Sequence, residues 1–157
     1  VSQTLEGGCA CRSVRYQLNA GPMFVHCCHC LNCQRQTGSA FVLNLLIEDA
    51  HVQLLQGEPV AIDVPRDAGR KQRILRCPSC QVALWSYYTL PQLRFVRAGT
   101  LDVPSSVAPD VHIYTRSKLP WVTLPPSVPA FDVYYDTEAL WPAESLARLR
   151  ALRRAGA

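Results

Sequence analysis

Within the seven residues from Cys27 to Cys33 the chain carries four cysteines and a histidine, and His26 precedes them. A globular core has no packing reason to crowd thiols in this way. Zinc coordination does, because a tetrahedral ion needs several soft donors converging at short range. Cys28 and Cys30 form a C-x-C pair, and Cys30 and Cys33 a C-x-x-C pair that shares a member. Three thiolates of this stretch can therefore reach one ion. A fourth protein ligand would make the site closed and structural; its absence would leave an open, catalytic position.

Eight cysteines in 157 residues could also describe a secreted disulfide framework. The spacing argues against it. Cys9 and Cys11, Cys28 with Cys30 and Cys33, and Cys77 and Cys80 are all short-range sets, whereas disulfides staple distant segments. Zinc sites in place of disulfides imply a reducing compartment, hence a cytoplasmic location. The start, VSQTLEGG, has neither the basic nor the apolar part of a signal peptide. The longest apolar run, 41–47, is broken by Asn44 and is too short to span a membrane. The formal charge of +4 counts every cysteine as neutral. Four thiolates around one zinc carry −2 and three carry −1, which would lower the total to about +1. Nucleic acid is therefore a poor expected partner, and the sequence leaves the oligomeric state open.

Taken in order, the chain reads as mostly β. Gly7-Gly8 offers a sharp turn before Cys9. Residues 14–18 alternate apolar and polar as a half-buried strand does, and 19–22 read as a turn. After Cys33, one helical turn over 34–37 is expected, stopped by Gly38. Strands are expected over 41–47, 52–55, 60–64, 71–76, 82–88 and 93–98, and Cys77-Pro-Ser-Cys80 suits a knuckle at a hairpin tip. Six prolines between 104 and 129 predict an irregular wrap over 100–135 with one short strand near 111–115. Residues 142–154 form the only good helix, with proline at its first turn and Leu146, Leu149 and Leu152 on one face. Residues 1–135 are thus read as one zinc-binding domain and 136–157 as a helical extension.

Two ions would divide seven cysteines as four and three. One grouping surrounds a structural zinc with Cys9, Cys11, Cys77 and Cys80, leaving Cys28, Cys30 and Cys33 around an open one. A rival puts Cys30, Cys33, Cys77 and Cys80 in a single ribbon, and spacing leaves both open. Cys27 is left over under either. The ordered set GGCACRSVRY, CHCLNCQRQTGS, CPSC, GTLD and HIYTRSKLPW, from Gly7 to Trp121, resembles the glutathione-dependent formaldehyde-activating enzymes, a family that includes centromere-protein-V-like proteins. The resemblance implies a zinc-clipped β-tent of small antiparallel sheets. It implies the first grouping, with Cys28, Cys30 and Cys33 at the catalytic ion. It also implies a carbon–sulfur lyase that adds glutathione to formaldehyde or another small aldehyde. The family commonly has glycine after each structural pair. Here Arg12 and Gln81 stand there, which predicts strained or differently turned knuckles.

The remaining candidates carry plainer readings beside the functional ones. Arg35, Arg116 and Lys118 are either ordinary surface charge or the cations that hold the carboxylates of an acidic thiol; Arg35 and Lys118 are the two chosen for glutathione. His29 is expected to support a ligand or face solvent, because an extended C-x-C turns its middle residue away from its neighbours. Cys27 reads as a small buried residue or a labile fourth ligand. Trp85, Tyr88 and Trp121 read as core, and Arg148, Arg150, Arg153 and Arg154 as a solvated helix face. The alternative function is a non-enzymatic zinc module for protein or nucleic-acid partners.

Overall fold

The computed structural model describes residues 4–156, apart from the side chain of Asp67. Ten strands are present among them: β1 (Leu5–Gly8), β2 (Arg15–Leu18), β3 (Phe24–Cys28), β4 (Val42–Glu48), β5 (Val52–Gln56), β6 (Val60–Pro65), β7 (Lys71–Arg76), β8 (Ala83–Tyr87), β9 (Leu93–Arg97) and β10 (Val111–Ile113). Three α-helices accompany them, α1 (Leu31–Thr37), α2 (Thr137–Leu140) and α3 (Ala143–Ala155). The mostly β reading with a C-terminal helix holds.

The strands form a three-stranded sheet in the order β1-β2-β5 and a seven-stranded sheet in the order β10-β3-β4-β9-β8-β7-β6. Every ladder between these strands is antiparallel except that of β10 with β3, which pairs Val111 with His26, Cys27 with His112 and Cys28 with Ile113. β3 and β4 lie inside the larger sheet with both faces covered, which is why their apolar residues run almost continuously. β6 is the outer strand of that sheet and leaves Val60 and Ile62 exposed.

Two apolar clusters fill the interior. Tyr16, Leu18, Leu45, Ile47, Trp85 and Val96 belong to the first, where Trp85 meets Tyr16 edge-on at 5.7 Å. Met23, Phe24, Leu46, Tyr135, Trp141, Leu146 and Leu149 belong to the second. α3 therefore packs its leucine face against β3 and β4. Its Ser145 hydroxyl donates to the Met23 carbonyl at 2.6 Å, and Arg148 pairs with Glu48.

Several local expectations change. Gly7 and Gly8 lie in β1 and make no turn; a Cβ on Gly7 would sit 2.5 Å from the Thr100 carbonyl oxygen and the Tyr16 hydroxyl, and one on Gly8 2.4 Å from the Val14 carbonyl oxygen. Close approach explains these glycines. α1 starts three residues before the expected turn, because the Cys30 sulfur accepts from the Cys33 N–H and caps it, and Gly38 in the left-handed region ends it. Trp121 is not core: it is 73% exposed, in the proline-rich segment beyond β10. Arg148 is half-buried rather than fully solvated, since Glu48 draws it against the sheet.

Candidate metal centres and the cavity above them

The chain's left-handed residues explain the first cysteine set. Arg12 and Gln81 have φ of 64° and 61°, and each closes a tight loop that turns two cysteines toward one point. Arg12 N–H bonds to the Cys9 carbonyl and Gln81 N–H to the Cys77 carbonyl, both at 3.0 Å. The sulfurs of Cys9, Cys11, Cys77 and Cys80 lie within 4.8 Å of one another. Separations of 3.5 Å for Cys9–Cys11 and 3.7 Å for Cys11–Cys77 are close to those across a tetrahedral ion with bonds of about 2.3 Å. Backbone N–H groups of Ser79 and Cys80 each donate to the Cys77 sulfur at 3.4 Å, and Val14 N–H to Cys9 at 3.3 Å. The Ser13 hydroxyl and the Cys80 N–H bring the Cys77 thiol down to about 5. These donors favour thiolates, and the set fits zinc. Cys77 and Cys80 join Cys9 and Cys11, not Cys30 and Cys33.

The second set, Cys28, Cys30 and Cys33, also holds its sulfurs within 4.8 Å. Cys28 ends β3, Cys30 caps α1, and Cys33 lies in the first turn of that helix. Contacts from Cys28 and then Cys33 hold the Cys30 thiol down to about 2, whereas the contact with Cys30 pushes Cys28 far up. The thiols thus compete for protons in a way that one shared cation would relieve. Three converging sulfurs with no further His, Cys, Asp or Glu among the described residues in the set fit a metal with an open position.

That open side faces a cavity of about 530 Å³. The three cysteines form one wall with His26 and Asn44, and Tyr88, Phe95, Tyr114 and Tyr134 supply aromatic surface. Arg35, Arg66, Arg70 and Arg116 bring four cations to its lining. Arg66 lies over the Tyr88 ring at 4.6 Å. Burial lowers His26 to about 4, so the ring is neutral, and its Nε2 lies 2.5 Å from the Tyr135 hydroxyl. Among the residues chosen from sequence, Arg35 reaches the cavity. The Lys118 ammonium instead donates to the carbonyls of Leu119 and Val122 at 3.2 and 2.7 Å and does not line it.

A family profile described as glutathione-dependent formaldehyde-activating enzyme matches residues 4–117. The chain belongs to this family. The match supports a glutathione- and formaldehyde-related function in general terms. No curated protein matches the chain closely enough to add a relative. Within this formaldehyde-activating family chain, the segment after residue 117 lies outside the match yet supplies Tyr134 to the cavity and Tyr135 behind His26. No helix among the described residues is long and apolar enough to cross a membrane.

Sequence reasoning did not single out Arg66, Arg70, Tyr114 or Tyr134 as parts of the site. Arg66 and Arg70 come from the turn between β6 and β7, far along the chain from the cysteines and without motif residues around them. Tyr114 had a signal, since it lies inside HIYTRS, the same segment that supplied Arg116.

Proposed function

We propose that the chain is a zinc-dependent carbon–sulfur lyase that adds glutathione to formaldehyde or another small aldehyde at the Cys28–Cys30–Cys33 site. The observation that carries the reading is a three-thiol centre opening into a cavity bordered by four arginines. Zinc held by three thiolates would supply a soft centre that favours the thiolate form of an incoming thiol. Such a set is already anionic, so hydrolysis through an activated water is disfavoured. Arg35, Arg66 and Arg116 suit the two carboxylates of an acidic tripeptide, which guanidinium binds through paired hydrogen bonds. Cys9, Cys11, Cys77 and Cys80 would hold a second, structural zinc.

In the balanced step the thiol loses its proton, a C–S bond forms, the carbonyl π bond breaks, and the aldehyde oxygen gains a proton. Tyr88 is suited to that oxygen. Its hydroxyl accepts from Gln72 Nε2 at 2.7 Å, which leaves its own proton to donate, and burial raises it so that it stays protonated. We expect Tyr88→Phe to lower kcat/KM for the aldehyde by about tenfold or more while glutathione binding is kept. Arg35→Ala combined with Arg116→Ala should weaken glutathione binding, read by calorimetry. Cobalt at the Cys28 site should change its thiolate charge-transfer absorption when glutathione enters. A metal-filled site with no spectral change at saturating glutathione would overturn the reading. The rival, a non-enzymatic zinc module for protein or nucleic-acid partners, draws on the basic α3, where two of the four arginines, Arg148 and Arg150, already pair with Glu48 and Glu138.

A further inference from the structure

Consecutive residues of an extended strand point to opposite faces. Around the end of β3 this sends Cys28 and Cys30 to the cavity and sends Cys27 and His29 to the other side. β10 runs parallel alongside, and its His112 is in register with Cys27. Cys27 Sγ, a His29 ring nitrogen and a His112 ring nitrogen lie within 4.8 Å of one another. His29 Nε2 is 3.6 Å from Cys27 Sγ and 3.0 Å from His112 Nδ1. All three side chains are buried, at 2%, 0% and 5% exposure.

Protons alone satisfy this arrangement poorly. A ring nitrogen carries one proton or one lone pair, so His29 Nε2 can serve only one of its two neighbours. The opposite nitrogens, His29 Nδ1 and His112 Nε2, are buried without a hydrogen-bond partner, so each ring's polar contacts lie on the side of Cys27. A cation at the point of convergence would engage all three donors. The ligands are also fixed in advance. His29 N–H bonds to the Ile113 carbonyl at 3.0 Å, Gln34 Nε2 to the His29 carbonyl at 2.9 Å, and His112 N–H to the Pro129 carbonyl at 2.8 Å.

We infer that Cys27, His29 and His112 form a third metal site, separate from the two cysteine sites, that takes a three-coordinate monovalent ion of the copper(I) class. Charge decides the ion. One thiolate and two neutral imidazoles make a neutral complex with a monovalent cation and leave a buried positive charge with a divalent one. Coordination number agrees, since the set contains three donors and all three side chains are buried. Thiolate and imidazole are ligands that copper(I) accepts.

The inference does not rest on the proposed reaction, because none of its three residues belongs to the Cys28–Cys30–Cys33 set. The test adds one equivalent of copper(I), without oxygen, to the zinc-loaded protein. Zinc content and the copper X-ray absorption edge are then read. The expected result is one bound copper with one sulfur and two imidazole nitrogen neighbours and no zinc released. His112→Gln and, independently, Cys27→Ala should each weaken copper binding by about 100-fold or more in competition with a chelator. Copper surrounded by sulfur alone, with zinc released, overturns the site, as does undiminished binding in either variant. A third zinc lost on His112→Gln overturns the choice of a monovalent ion.

Discussion

Arg12 and Gln81 show what single residues cost and decide. Both adopt the left-handed conformation in which a Cβ is crowded, at the positions where glycine would be unstrained. Arg12→Gly should stabilise the metal-loaded protein by about 0.5–1 kcal/mol, the strain relieved less the extra freedom of the unfolded chain. The melting temperature should rise by ~2–3 °C; an unchanged or lower value would mean the loop carries no strain. Gln81→Gly should gain less, because the Gln81 side chain donates to the Pro78 carbonyl at 3.0 Å. Arg97 is the other telling residue. It is 7% exposed, bonds to Asn44 and Ser86, and has no carboxylate partner among the described residues. Cys28 draws the Cys33 thiol down, but Cys30 and burial outweigh it and push the thiol up to about 12, with the Arg97 charge a smaller downward influence. A buried cation needs a counter-charge, and zinc held by three thiolates would provide one. Arg97→Met should therefore weaken metal retention at Cys28, Cys30 and Cys33 by about 10–100-fold, measured by chelator competition. Equal retention would show that Arg97 serves the sheet alone.

Among the elements, α3 is held by chemistry that depends on pH. Burial pushes the Glu48 carboxyl up, but the hydrogen bond and charge of Arg148 outweigh it and keep it below its ordinary value of 4.5. The depressed folded value means that the unfolded chain binds this proton more readily. The pair's contribution is therefore present above pH 4.5 and is lost as pH falls through the lower folded value. Arg148→Gln should cost ~1–2 kcal/mol at pH 7, and the difference from wild type should shrink at pH 3.5. Thermal melts at both pH values check it. A difference that persists in acid would assign Arg148's role to its second bond, to the Gly21 carbonyl at 3.0 Å. Two residues before this helix, Trp141 Nε1 donates at 2.7 Å to the Tyr135 hydroxyl that contacts His26, and Trp141 shares an apolar cluster with Leu146 and Leu149 of α3. Loosening α3 should thus disturb the cavity as well as the core.

At the scale of the whole molecule, the four-cysteine cluster joins the two sheets. Cys9 and Cys11 sit between β1 and β2 of the smaller sheet, and Cys77 and Cys80 between β7 and β8 of the larger. Cys11 and Cys77 are 66 residues apart in sequence. With zinc bound there, metal affinity becomes folding energy. Cys80→Ser should destabilise the whole chain, whereas Cys33→Ser should leave a folded protein lacking one metal. Thermal melts with metal analysis compare them, and the opposite order would require a different division of roles. A mild chelator should remove the three-thiolate metal first, and simultaneous release of both would contradict the difference between a closed and an open site.

How much of this was legible in advance depends on how far each argument reaches along the chain. Short spacing sufficed for the cysteine sets, because pairs two or three residues apart converge whatever the tertiary structure does. Alternation and proline content sufficed for the strands and the irregular wrap, since both act within a few residues. The sequence offered two groupings of the cysteines, and the resemblance favoured one; only the packing of one sheet on the other brought Cys77 and Cys80 to Cys9 and Cys11. It gave no reason to join His112 to Cys27 and His29, because the parallel pairing of β10 with β3 spans over eighty residues. Nor did it say that Lys118 would turn to backbone carbonyls, that Trp121 would face solvent, or that Arg66 and Tyr134 would share a cavity with Cys28. The shared cavity depends on long-range contacts whose closure no local pattern encodes, whereas Lys118 bonds to carbonyls only one and four residues along the chain. The donors were written in the sequence, and the tertiary structure decided which of them meet.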